Sequence, residues 1–111
     1  MIKPSPIQLI ALDLDGTLVK GQNGVTARVR AAIRSAQAAG IQITIATGRM
    51  YQSARRFAED LGVTAPIICY QGAMVRDPVT DEVFAHNTVP YGPAVAAVEF
   101  ARGIGLHVNA Y

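Results

Sequence analysis

The chain has 111 residues, half of them apolar and 16% charged, with a net charge of +2 at pH 7, a composition that fits one globular domain and excludes a disordered segment. Its ten Lys and Arg are spread over helical patterns rather than massed in a block, so nucleic-acid binding is not indicated, and no apolar run approaches the ~20 residues that span a bilayer. The N-terminal MIKPSPIQL lacks the pattern of a secretion signal and the single Cys69 sits in an apolar run where a buried reduced thiol is expected; a cytoplasmic protein fits both.

Ile7 to Leu14 is a nearly continuous apolar run, the pattern of a strand buried on both faces, and Gly16 marks the turn that follows it. After KGQNG, Thr26 is placed to cap a helix from Ala27 to Ala39 with Val29, Ala32, Ile33 and Ala36 inward and Gly40 as its stop. Ile41 to Ala46 predicts a second strand, Thr47 to Arg49 its exit, and Gln52 to Leu61 a second helix facing inward with Ala54, Phe57, Ala58 and Leu61 and ending at Gly62. Pro66 to Tyr70 predicts the third strand. This alternation implies parallel strands joined by right-handed crossovers, hence a Rossmann-like open α/β sheet. Ala73–Arg76 and Glu82–His86 flank the turn-forming DPVTD as an expected antiparallel hairpin. Pro93 to Ile104 predicts a third helix with Val95, Val98, Phe100 and Ala101 apolar, and Leu106 to Tyr111 a last strand. The hairpin divides the chain into a first region, 1–80, and a second, 81–111.

Ligands of open parallel sheets bind beyond the carboxyl ends of the strands, and three such ends carry DLDGT, ATGR and YQGA. Strand alternation would put Asp13 and Asp15 on one side if the first strand reached them. Two carboxylates that close are costly as neighbours, and magnesium, which takes carboxylate and carbonyl oxygens while leaving positions for water and phosphate, would relieve the repulsion. One carboxylate could then attack phosphorus while the other exchanges a proton with the leaving group. Gly16 would expose backbone amides in the loop, and Thr17 could hydrogen-bond within it. Thr47 and Gly48 offer a hydroxyl and an open amide ahead of a helix N-terminus, a phosphate cradle, to which Arg49 could add a two-pronged contact. Any DxD alone is most often a turn former or helix cap; the combination with ATGR one helix away is what points to phosphate chemistry.

DLDGTLV resembles the first motif of the haloacid dehalogenase superfamily of phosphohydrolases, and ATGR resembles the second motif of its Cof-type branch, which carries a large α/β cap. YQGA is similar to the Asn-Gly-Ala segment that ends the third strand there, with Gln71 in place of the asparagine. The resemblance implies Asp13 as nucleophile and magnesium ligand, and Asp15 as general acid and base whose backbone carbonyl also holds the metal. Thr47 would bind the transferring phosphoryl group, Gly48 and Arg49 would frame the substrate, and Gln71 and Gly72 would complete the pocket. On this resemblance 1–80 is a partial core and 81–111 the beginning of the cap.

The function so implied is a Mg2+-dependent phosphatase acting on small phosphorylated metabolites such as sugar phosphates through an aspartyl-phosphate. The resemblance also implies a lysine and an acidic metal-binding loop beyond Tyr111. Neither Lys3 nor Lys20 is placed to substitute, Lys20 reading as a solvated loop residue, so the 111 residues alone are expected to bind metal weakly and turn over slowly. Two alternatives stand beside it. A phosphomannomutase-like enzyme would return the phosphoryl group to a sugar, and a non-catalytic domain would bind phosphate or a partner and, through an open sheet edge, associate. No feature of the sequence specifies an oligomeric state.

Overall fold

The computed structural model describes residues 6–21 and 24–111. Lys3, the beginning of the N-terminal segment, and Gln22 and Asn23 of the expected loop lie outside the described residues. Strand β1 (Leu9–Leu12), helix α1 (Ala27–Ala38), strand β2 (Gln42–Ile45), helix α2 (Tyr51–Leu61) and strand β3 (Ile67–Cys69) follow in the expected order, then β4 (Met74–Arg76), β5 (Val83–His86) and helix α3 (Tyr91–Gly103).

β1 and β2 pair in parallel, Leu9 opposite Gln42 through Leu12 opposite Ile45, and a parallel bridge between Ala46 and Ile68 places β3 beyond β2. β3 then turns its other edge to β4, and β3, β4 and β5 form an antiparallel sheet. The parallel α/β arrangement is as expected, although the third strand is shared with the hairpin.

Local chemistry sets the helix limits. The Thr26 hydroxyl accepts the Val29 N–H at 3.3 Å to begin α1, as an N-cap should. At its end Gly40 takes a φ of +82°, and the N–H groups of Gly40 and Ile41 return to Gln37 and Ala36, closing orphan carbonyls. Gly62 does the same for α2 with a φ of +65°. Tyr51, Ala54, Ala58 and Leu61 of α2 are buried at helical spacing, packed with Leu14, Ile45, Ile67 and Cys69, which are fully enclosed. Burial pushes the Cys69 thiol pKa upward and its Sγ–H points to the Met74 carbonyl, so it is the inert reduced thiol expected.

Five expectations fail. β1 ends at Leu12 instead of Leu14 and is not buried on both faces, with Leu9 half exposed, because the described strands flank it on one side only. Ala32 faces solvent, leaving Ile33 as the buried residue of α1. α2 begins one residue earlier, at Tyr51, and α3 two residues earlier, at Tyr91, Pro93 being tolerated within a first turn whose N–H groups have no intrahelical partner. Phe100 is exposed, and Ala101 is the buried residue of α3. Leu106 to Tyr111 forms no strand: β-pattern without a neighbouring strand leaves backbone groups unpaired. No described helix is long and apolar enough to cross a membrane.

Candidate active site

The first aspartates are presented by a turn and not by a strand, which corrects the alternation argument. Past Leu12 the chain coils back, with Leu18 and Val19 N–H groups bonding to the Asp13 and Leu14 carbonyls and Gly16 N–H to Val19. Gly16 makes this possible with a φ of +83°, a conformation that costs an L side chain strain. Leu14 is driven into the core between the two acids, which leaves Asp13 and Asp15 facing out. Both acids are therefore exposed by the burial of one leucine. Thr17 stays within the loop as expected, its hydroxyl 3.3 Å from Asp13 Oδ2.

Thr47 follows β2 and is buried. Its N–H bonds to Ile68 O, its carbonyl receives Gln71 N–H, and its Oγ1 accepts the Arg49 N–H at 3.1 Å. These contacts stitch the ends of β2 and β3 together and leave the hydroxyl proton free to donate outward. The YQG turn after β3 has three successive left-handed residues, Tyr70, Gln71 and Gly72, with φ of 50°, 57° and 91°. Two of them carry side chains, a strain of order 1–3 kcal/mol each that is kept where the surroundings over-determine it. The turn lays the Gln71 amide across Gly48, so a β-carbon at Gly48 would collide with it. A side chain at position 48 would therefore require the Gln71 amide to move.

Asp13, Thr47, Gly48, Gln71 and Gly72 line one open cleft of about 290 Å³, with Ala46 and Ile68 as its apolar floor. Asp15, Gly16 and Arg49 do not line it. Arg49 is where the sequence reading needs revision, because its fork is turned toward protein: Nε donates to Asp15 Oδ2 at 2.8 Å and Nη2 to Oδ1 at 2.6 Å. That pair holds the Asp15 carboxyl below the usual carboxylate range, chiefly through the hydrogen bonds from Arg49. Ser53 and Phe57, which the site reading missed, support the guanidinium through a 3.2 Å bond to Nη1 and a ring 5.0 Å from Cζ. Their spacing of four and eight residues after Arg49 was the available signal.

Among the described residues no group of three or more His, Cys, Asp or Glu could hold a metal ion. The donors present nevertheless suit magnesium: among the described residues the Asp13 carboxylate has the Thr17 hydroxyl as its one hydrogen-bond partner, and the Asp15 main-chain carbonyl receives no hydrogen bond. One carboxylate and one carbonyl, with water and phosphate oxygens in the other positions, is a common environment for that ion.

A motif-bearing turn and an open cleft at the carboxyl ends of parallel strands are the arrangement of the haloacid dehalogenase class. The family model for haloacid dehalogenase-like hydrolases matches residues 10–111, and the chain belongs to that family, in its Cof-type branch. Among individual proteins, it is 35% identical over 83 residues to the phosphatase YwpJ of Bacillus subtilis strain 168, covering 75% of this chain and 29% of that one. It is 31% identical over 100 residues to the 5-amino-6-(5-phospho-D-ribitylamino)uracil phosphatase YitU of the same strain, covering 89% of this chain and 37% of the relative. A solved haloacid dehalogenase-like hydrolase from B. subtilis superposes with a TM-score of 0.77 at 31% identity, over 88% of this chain and 34% of that structure. The chain spans about a third of the length of the curated relatives it matches.

Proposed function

We propose that this chain carries the nucleophile and phosphate cradle of a magnesium-dependent phosphatase for small phosphorylated metabolites, sugar phosphates and similar monoesters. The observation that carries the reading is the convergence of the Asp13 carboxylate with Thr47, Gly48, Gln71 and Gly72 in one cleft. Family membership supports it, and so does a relative named for a phosphorylated ribityl compound, itself a phosphate ester of a polyol. Residues 1–80 are then part of the catalytic core and 81–111 the start of a cap. A cytoplasmic location goes with the reading, since that is where phosphorylated metabolites reside.

Asp13 attacks phosphorus through a carboxylate oxygen as the bond to the leaving oxygen breaks, and Asp15, once protonated and released from the Arg49 fork, supplies the proton that this oxygen takes up. The Thr47 hydroxyl proton and the open backbone at Gly48 receive the phosphoryl oxygens. Asp15, now ionised, takes a proton from the water that attacks the aspartyl-phosphate, which releases inorganic phosphate and restores Asp13. Magnesium, when bound by the Asp13 carboxylate and the Asp15 carbonyl, supplies neutralising charge for the phosphoryl oxygens.

The test is phosphate release from a panel of sugar phosphates by the full chain with and without magnesium, set against Asp13→Asn. The variant is expected to lose at least about a thousandfold in kcat, as enzymes do when their nucleophile is removed. Activity that survives the substitution removes Asp13 from the role of nucleophile.

A further inference from the structure

We propose that Arg49 is a positioning residue that aims the Asp15 carboxylate, with Ser53 and Phe57 on α2 fixing its own aim, and is not a ligand of the substrate phosphate. The inference rests on the phosphatase reading above and assigns one residue within that site a different task.

The geometry carries it. Three of the five guanidinium N–H donors of Arg49, one on each nitrogen, are committed to protein: Nε and Nη2 hold the two oxygens of Asp15, and Nη1 holds Ser53 Oγ. Its Cζ lies over the Phe57 ring, 5.0 Å from the centroid, a cation–π contact that favours this placement of the fork. Arg49 is absent from the cleft that Thr47 and Gly48 line, though it follows them immediately in the chain. Its backbone explains the divergence: Arg49 N–H is drawn to Thr47 Oγ1 and Arg49 O to the Tyr70 N–H, which turns the side chain toward the aspartate turn. A two-pronged contact fixes both position and plane of a carboxylate, whereas an ammonium would fix neither. Asp15 sits on an exposed turn and would otherwise sample several rotamers. With both oxygens accepting from Arg49, Asp15 is aimed as the base that takes a proton from the attacking water, a role that needs hydrogen-bond reach at the moment of transfer, so holding it still acts on the rate of the chemical step and not on substrate affinity.

Beryllofluoride with magnesium, which mimics the phosphoryl group on an aspartate, is the probe, its uptake read by 19F NMR on the full chain and on Arg49→Lys. Positioning predicts uptake within about twofold of the unchanged protein, with kcat on the sugar phosphate lowered ~10- to 100-fold, within the reach of acid–base catalysis, and KM little changed. Ser53→Ala and Phe57→Leu, milder substitutions, should lower kcat in the same direction by less. In an Asp15→Asn background Arg49→Lys should add no further loss, because a residue acting only through Asp15 has nothing left to act on. Uptake weakened tenfold or more by Arg49→Lys, or a rise in KM at constant kcat, makes Arg49 a phosphate ligand and overturns the inference while the phosphatase reading stands. Because the 111 residues are expected to hold magnesium weakly, uptake is read at saturating magnesium, and its absence there in the unchanged protein overturns the phosphatase reading, and this inference with it.

Discussion

The stretch up to β3 and the stretch from β5 onward are built on opposite terms. In the first, Leu14, Ile45, Ile67 and Cys69 are fully enclosed and helix α2 buries four residues. In the second, α3 buries Ala101 alone, while Phe84, Tyr91, Phe100, Ile104 and Leu106 stay exposed. The residues that converge on the cleft all belong to the first stretch or to the turn directly after β3. A turn such as DLDGT can hold two like charges at a fixed place only when something rigid anchors it, and here the anchor is Leu14. The contrast teaches that the chemistry of this protein is tied to packing within the early strands, and that the later segments contribute little to holding it.

The sharpest way to break that contrast is Leu14→Ala. Removing a fully buried leucine is expected to lower stability by about 2–5 kcal/mol, measured by urea unfolding, and to release Asp13 and Asp15 together. A loss under about 1 kcal/mol would mean that the turn is held by its own backbone hydrogen bonds.

A smaller effect is expected at the seam between the stretches. Tyr51, buried at the start of α2, donates its hydroxyl to the Asp77 carbonyl at 2.9 Å and to Asp81 Oδ1 at 2.7 Å. Arg76 lies over its ring at 4.4 Å, and Arg55 and Arg76 flank Asp81. Tyr51→Phe should cost roughly 1.5–3 kcal/mol, the range for a hydrogen bond to a charged acceptor. Burial first, then the bond to Asp81, pushes the Tyr51 pKa from 10.0 up to about 12. The folded chain therefore holds this proton more tightly than the unfolded one, and the stability it contributes is complete below pH 10 and lost as pH rises through about 12. Unfolding followed from pH 9 to 12 should show that decline in the unchanged protein and a shallower one in Tyr51→Phe; equal slopes would detach Tyr51 from the seam.

How much of this was legible in the sequence follows the same division. Thr26, Gly40 and Gly62 mark helix ends by local chemistry that needs no partner, so both early helices were readable to within a residue or so. Asp13, Thr47, Gly48, Gln71 and Gly72 were readable as a group because their motifs close successive strands, and the structure brings them to one cleft. The aim of Arg49 was not. A guanidinium suits phosphate and carboxylate equally well, and only the fold reveals that Asp15, 34 residues away in sequence, is the nearer acceptor. The failed strand at Leu106–Tyr111 has a related cause: strand propensity registers what fits a pleated surface and carries no information on whether a neighbour is there to pair with.

The mildest prediction returns to α3. Phe100 is 70% exposed, so Phe100→Ala removes little buried surface and should change stability by no more than about 0.5 kcal/mol, against several for Leu14→Ala. The two substitutions delete comparable apolar volume, so the difference isolates packing from hydrophobicity. Denaturation of both variants at several protein concentrations gives the comparison its meaning. An equal, concentration-independent cost would show that Phe100 packs in the folded chain as tightly as Leu14 does. A cost that grows with concentration would place Phe100 in contacts between chains, the outcome that an exposed apolar helix face invites.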